Sequence, residues 1–289
     1  EKLQILIDVL GRYKKSNDEH LFRCPYCEHS KHKFSVNIDK NVYKCWICDT
    51  RGRNLKRVVR RFGTFKQRQA WDQLTDEVET KVEQTIDLPK EFISLANTNL
   101  PITAKPALKY LKERGITKAD ILKWKIGYCS SGEYENRIIF PSFNKDGYVN
   151  YFVARTYIDH WKRYLNPPVS NNVLFNELYV DWNNDLCIVE GVFDAVVASN
   201  AIPLLGSSLR DSSKLLQKII KHDTPIYLAM DPDAKDKEQK IAKLLMQYDI
   251  ELYKIDVSGF EDIGEMTKEQ FNIRKEKAEF IHLDNYLLY

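Results

Sequence analysis

No stretch of this chain approaches the 18 or more consecutive apolar residues of a membrane-crossing helix, which excludes a helical membrane protein as its reading. Residues 1–15 contain no basic segment followed by an apolar core, so no secretory signal is expected, and the chain begins with Glu1 rather than Met. No GxxxxGK[ST] motif occurs, which excludes a P-loop and with it a fused helicase. Internal repeats and low-complexity tracts are also missing. Cysteine is scarce, with six in 289 residues, and four of the six fall in two close pairs: Cys24 with Cys27, and Cys45 with Cys48. In a chain without an export signal such pairs favour metal over disulfides. Cys129 and Cys187 stand alone in apolar surroundings and are expected to be buried.

Hydrophobic residues make up 43% and charged residues 29%, the composition of a globular chain with no membrane partner, expected in the cytoplasm and long enough for two or three units. A net charge of +3 conceals an asymmetry: residues 1–70 carry 17 Lys and Arg against 7 Asp and Glu, and the remainder 27 against 34. That polarity predicts a polyanion-binding front end and a body rich in carboxylates.

Apolar spacing predicts a short helix over 3–15 and a basic amphipathic helix over 54–71, with Asn54 as N-cap and Gly63 bending or ending it. Between them, FSVNI and VYKCW alternate as short antiparallel strands. Residues 72–88 read as an acidic, polar linker. Further on, Thr103 is expected to cap a helix ending at Gly115, and Thr117 a second over KADILKW. RIIFPSF and YVNYFVAR flank Lys145-Asp146-Gly147, a hairpin signal. From 186 on, apolar strands (LCIVEG, IPLLG, PIYLAMD, IELYKIDV) alternate with helices, the pattern of a parallel sheet covered on both faces.

The two CxxC turns, 17 residues apart, present four thiolates to one tetrahedral ion, so one structural Zn2+ held by Cys24, Cys27, Cys45 and Cys48 is expected, with His29 and His32 left at the surface. Lys31, Lys33, Lys40, Lys44, Arg51 and Arg53 surround this ribbon, with Phe34, Tyr43 and Trp46 among them. Such residues neutralise phosphates and stack on unpaired bases; Phe34 is the aromatic best suited to the ribbon core and Trp46 the least.

Glu190 and Asp231 end two apolar strands, and Asp233 follows at once. Ligands gather at the carboxyl ends of parallel strands, so these three acids are expected at one edge, where hard oxygens suit Mg2+ or Mn2+. Asp262, in FEDIGEM, offers a further carboxylate, and Asp194 opens the helix after Gly191. Glu190 is either a ligand or a general base.

Taken in order, CPYC…FSV…YKCWIC, ALKYLKERGITKADILKWKIGYC, NRIIFPSFNKDGYVNYFVAR, KRYLNPP, VLFNELY and then IVEGVFDA, LAMDPDA and EDIGEM resemble the DnaG-type primases of bacteria and their phages, over about residues 20–265. The resemblance implies a multi-domain α+β and α/β chain: a zinc ribbon at 1–71, a linker at 72–88, the N-terminal part of a polymerase core at 89–184, a parallel-sheet TOPRIM subdomain at 185–265 and a C-terminal helix and tail at 266–289. It implies RNA primer synthesis from nucleoside triphosphates on single-stranded DNA, with two or more Mg2+ or Mn2+ ions. Glu190, Asp231, Asp233 and Asp262 would be catalytic, the first three holding magnesium. Arg137, Arg155, Arg163, Tyr164, Asn166 and Asp194 would face template and nucleotides. A replicative helicase acting in trans and a single-stranded DNA-binding protein are the partners it implies, and the short remainder after the fourth strand points to a compact phage enzyme. The chain departs from the family pattern in an all-cysteine ribbon and in Asn176 and Glu177, which stand where the family usually shows a lysine. The alternative is a RecR-like recombination mediator that binds DNA without polymerising. A TOPRIM nuclease would need no ribbon, and a type IA topoisomerase would need a further domain.

Overall fold

The computed structural model describes residues 1–76, 84–206, 208–210 and 213–281. The chain divides into two compact units: residues 1–82 with 218–223 and 243–250, and the remaining residues.

The first unit is built on a five-stranded antiparallel meander of β1 (Lys14–Ser16), β2 (Glu19–Arg23), β3 (His32–Asn37), β4 (Val42–Cys45) and β5 (Arg51–Gly52). The expected helix over 3–15 is shorter: α1 spans Lys2–Leu10 and ends at Gly11, whose φ of 84° only glycine adopts freely. Lys14–Ser16 pairs instead with Glu19–Leu21, because a strand partner five residues away outweighs the weak helical preference of KKS. Asn54 caps α2 (Leu55–Phe62) by accepting from the Lys56 amide, and Gly63 ends it. A Cβ on Gly63 would lie 2.5 Å from the Val59 carbonyl, so glycine is required there by close approach. α3 (Phe65–Asp76) extends beyond the expected end at 71; the rest of the 72–88 linker falls partly outside the described residues. Phe22, Phe34, Val36 and Tyr43 of the meander pack with Leu6, Leu55, Val58, Val59 and Trp71 of the helices. Tyr43 is therefore a core residue alongside Phe34 rather than a stacking surface.

The second unit holds two sheets. One is antiparallel, in the order β6 (Phe92–Ser94), β7 (Gly127–Cys129), β8 (Arg137–Phe143) and β9 (Val149–Thr156). Between β6 and β7 lie α4 (Lys105–Glu113) and α5 (Lys118–Lys123). Thr117 and Asp120 form a capping box on α5, as expected. Thr103 does not cap α4: Ala104 is the N-cap, and the Thr103 hydroxyl lies 2.7 Å from the Tyr128 hydroxyl, since a short 3-10 turn over Ile102–Ala104 carries the chain into the helix.

The other sheet runs β11 (Ala201–Pro203), β10 (Leu186–Val189), β12 (Ile226–Leu228), β13 (Leu252–Lys254) and β14 (Glu279–Phe280). The first four are parallel, joined through α6 (Val192–Val197), α7 (Lys214–His222) and α8 (Lys235–Gln247), and β14 adds an antiparallel edge after α9 (Lys268–Glu276). One core spans both sheets, where Phe140 meets Phe193 edge-on at 5.0 Å. Cys129 and Cys187 are fully buried, as expected. Among the described residues no helix is long and apolar enough to cross a membrane.

Candidate metal centre and carboxylate cleft

The ribbon's two CxxC turns are built alike. Each follows a strand end (β2 into Cys24, β4 into Cys45), and each exits through a left-handed residue, Glu28 at φ 52° and Asp49 at φ 56°. The Glu28 amide donates to the Cys24 carbonyl at 2.9 Å, and the Cys45 amide to the Thr50 carbonyl at 2.7 Å. The β3–β4 pairing sets Phe34 opposite Cys45 and so fixes the distance between the turns. Cys24 Sγ and Cys48 Sγ are 3.8 Å apart, Cys27 Sγ and Cys45 Sγ 3.9 Å, and all four sulfurs lie within 4.8 Å of one another. A zinc–sulfur bond of about 2.3 Å gives a tetrahedral edge of about 3.8 Å, so the set fits one Zn2+ with its shell closed. Burial pushes the Cys24 thiol up to about 12, whereas the Thr50 hydroxyl 3.2 Å from Cys48 helps bring that thiol down to about 6. Cys48 is thus inclined to ionise at neutral pH by itself, whereas Cys24 is held as a thiolate there by a bound cation. His29 and His32 stay outside this set; His32 Nε2 pairs instead with the Arg12 carbonyl. Trp46 is 64% exposed beneath Lys44, whose Nζ lies 4.5 Å from the ring centroid.

The carboxylates occupy the carboxyl end of the parallel sheet. Glu190 follows β10 directly and Asp231 follows β12 by three residues, so adjacent parallel strands deliver both to one rim. They line a cleft of about 330 Å³ with Asp194, Asp262, Arg114, Tyr164 and Asn166. Asp194 is buried at the start of α6, where its two oxygens accept from the amides of Gly191 (2.8 Å) and Gly264 (3.0 Å). The second of these bonds ties Asp194 to the EDIGEM turn and so sets Asp262 in place. Asp262 pairs with Arg114 at 3.2 Å through one oxygen. Its other oxygen, and Oδ1 of Asp231, are buried without a hydrogen-bond partner. Asp233 is exposed and lies outside the cleft lining, though its charge adds to that around Asp231.

Burial, then the charges of Asp194, Glu190, Asp262 and Asp233, push the Asp231 carboxyl up to about 7, and burial pushes Asp194 up to about 6. Buried, unpartnered oxygens among mutually repelling carboxylates form a hard-oxygen donor set that a cation would satisfy, so the residues fit Mg2+ or Mn2+. In the structure as it stands Lys237 Nζ holds Glu190 at 3.1 Å, and the four cysteines are, among the described residues, the one group with three or more ligand atoms drawn together.

The expected basic residues separate into two roles. Tyr164 and Asn166 line the cleft, and Asn166 also accepts from the Ala154 amide at 3.3 Å. Arg155 lies over the Tyr164 ring at 4.8 Å and lines a neighbouring hollow with Arg163. Arg137 is only 5% exposed, and its guanidinium donates to the carbonyls of Arg163 (3.2 Å) and Lys162 (3.0 Å), so it holds backbone. Asn176, at φ 54°, is buried and accepts from the Phe143 amide at 3.0 Å. A lysine there would lose that bond and bury a charge. Sequence reasoning missed Arg114 and Lys237. Arg114 sits in LKERG, a basic helix end, and its partner Asp262 is visible only once folded.

The geometry thus defines a chain with a closed four-cysteine ribbon and an open carboxylate cleft at a parallel sheet edge. Residues 2–89 match the family model described as the CHC2 zinc finger, the zinc ribbon of DnaG. The chain is 23% identical to a DNA primase of Clostridium acetobutylicum across 80% of its length, 24% identical to one of Helicobacter pylori across 83%, and 23% identical to one of Staphylococcus aureus across 96%. It spans about half the length of these relatives, covering 49%, 53% and 59% of them. Its fold is that of primase cores. The zinc-binding and RNA polymerase domains of the Aquifex aeolicus primase superpose with a TM-score of 0.53 at 18% identity, covering 97% of this chain and 83% of that one. A DnaG primase catalytic domain bound to ssDNA gives 0.53 at 22% identity, covering 78% and 83%.

Proposed function

We propose that the chain is a DNA primase core that joins ribonucleotides into short RNA primers on single-stranded DNA, with the carboxylate cleft as its nucleotidyl-transfer site. The observation that carries this is the pair of unpartnered carboxylate oxygens, on Asp231 and Asp262, at a cleft beside Arg114 in a chain whose fold matches primase cores along nearly its whole length. The match runs through the span between ribbon and carboxylates, which a RecR-like clamp would leave without a task.

On this reading Glu190, Asp231 and Asp233 hold the ions, and Asp262 completes the charge of the site. Asp194 acts through the backbone it ties down rather than by contact. Bound there, Mg2+ or Mn2+ would neutralise the triphosphate and favour the 3′-hydroxylate. Arg114 and Lys237 balance the acids until nucleotide enters, and Lys237 is then free to turn to a phosphate. Arg155, Arg163, Tyr164 and Asn166 bind the nucleotide and template; Arg137 supports them from beneath. Residues 1–71 form the DNA-reading domain, 89–184 and 185–265 the polymerase core, and 266–289 its tail. A helicase in trans and a single-stranded DNA-binding protein belong to the same reading.

The test is incubation of the zinc-loaded chain with single-stranded DNA, labelled nucleoside triphosphates and Mg2+ or Mn2+. Dinucleotides and longer RNA are expected. Their absence, with helicase also present, would leave DNA binding without synthesis and favour the clamp.

A further inference from the structure

We propose that the Thr156–Arg163 strap, which follows β9, presents Trp161 as a stacking platform for an unpaired base of single-stranded nucleic acid. The proposal deepens the primase reading, and rests on it for the identity of the strand.

Trp161 is 88% exposed, the barest large hydrophobic side chain among the described residues. The backbone that carries it is firmly held. The Thr156 amide donates to the Arg163 carbonyl at 3.0 Å, and Arg155 bridges to Tyr164, so the strap closes as a loop. Beneath it the buried Arg137 donates to the carbonyls of Lys162 and Arg163. The Tyr157 amide donates to the Asn136 carbonyl at 3.1 Å, and the Lys162 amide to His160 Nδ1 at 3.0 Å. A buried arginine spent on two main-chain carbonyls orders a loop whose tip buries nothing of its own. Ordering before binding lowers the entropic cost of binding, and the ring is the part of the tip left for a ligand.

The surroundings choose that ligand. The Trp161 ring stacks on His160 at 5.7 Å and 24°, with its other face open to solvent. Lys162 and Arg163 follow it in sequence, and Arg155, His160 and Arg163 line a hollow of about 360 Å³ with Tyr110, Tyr157 and Asp159. An aromatic face flanked by cations takes a base on the ring and phosphates on the side chains. It asks for an unpaired base, because the face of a paired base is already stacked. An acidic peptide would use the cations but leave the indole without a task.

The experiment measures binding of labelled oligodeoxythymidine, oligouridine and a duplex by the zinc-loaded chain. Trp161→Ala should weaken binding to a single strand by between about fivefold and a hundredfold, the range for one base–aromatic stack, and leave the salt dependence unchanged. Trp161→Phe should recover most of the loss. Lys162→Ala with Arg163→Ala should instead flatten the salt dependence, by about 0.7 in log–log slope for each phosphate that is no longer neutralised. The duplex should not distinguish wild type from Trp161→Ala. A larger loss on oligodeoxythymidine than on oligouridine identifies the occupant as the unpaired DNA template; a larger loss on oligouridine would overturn that assignment. Unchanged single-strand affinity in Trp161→Ala, or an equal loss on the duplex, would overturn the platform. A chain that binds through Trp161 yet makes no primer would sink the enzyme and keep the platform. Primer synthesis with wild-type template affinity in Trp161→Ala would do the reverse.

Discussion

The ribbon and the carboxylate cleft both crowd groups that repel one another, and they answer the problem in opposite ways. In the ribbon four sulfurs surround one point at tetrahedral separations, every position is filled by protein, and the turns that hold them are backbone-bonded. In the cleft the acids share a rim without closing, two oxygens lack partners, and arginine and lysine stand in at the edges. A filled shell fixes structure and leaves no place for substrate; a shell left open keeps positions for phosphate and a reacting hydroxyl. On the proposed function, the difference assigns scaffolding to the ribbon and chemistry to the cleft.

The largest effect expected from breaking this contrast is at Asp231. Asp231→Asn should lower primer synthesis by several kcal/mol of lost charge stabilisation, on the order of a thousandfold, while zinc content and single-strand binding stay near wild type. Synthesis within a few-fold of wild type would remove Asp231 from the site. At the ribbon the pattern inverts. Cys45→Ser should release zinc, measurable with a chromogenic chelator, and unfold residues 14–52, since binding and folding of such ribbons are linked by about 10 kcal/mol or more. Retained stoichiometric zinc would contradict the four-thiolate shell.

A subtler contrast lies in pH. Asp231 and Asp194 have folded-state values raised to about 7 and about 6, so the folded chain holds protons that the unfolded chain releases near the usual carboxylate value. Their stabilising protonation is complete at low pH and is lost as pH rises through about 6 to 7. Without divalent metal, these two groups should make Tm fall between about pH 4 and 7 and level off above, a slope that Asp231→Asn reduces. Added Mg2+ should stabilise more at about pH 8 than at about pH 6, because binding displaces those protons. A metal effect independent of pH would speak against these carboxylates as ligands. The smallest change expected is at Lys237, where Lys237→Met frees Glu190 and should tighten Mn2+ binding a few-fold in the absence of nucleotide; no change would show that the 3.1 Å contact does not compete with metal.

Much of this is legible in the sequence, and unevenly so. The ribbon is readable because its chemistry is local: two CxxC turns and a hairpin's worth of residues specify the site. The parallel sheet is readable because strands such as LCIV are apolar on both faces. The inward turn of Arg137 is not legible, because nothing in NRIIF says that the arginine holds a strap 25 residues away. Thr103 has the chemistry of a cap, but Tyr128 takes its hydroxyl. β1 and β14 are short edge strands made by their pairing partners, not by their own propensity. Arg114 in the cleft and Lys237 on Glu190 meet the acids through tertiary contacts, which sequence spacing does not encode.

The division of labour between the two centres is tested most directly by Mn2+ titration of the zinc-loaded chain, followed by electron paramagnetic resonance with and without a nucleoside triphosphate. Nucleotide should tighten Mn2+ binding in the wild type, and Asp231→Asn should abolish that tightening with zinc still bound. Identical Mn2+ binding in both proteins, with or without nucleotide, would contradict a catalytic carboxylate cleft.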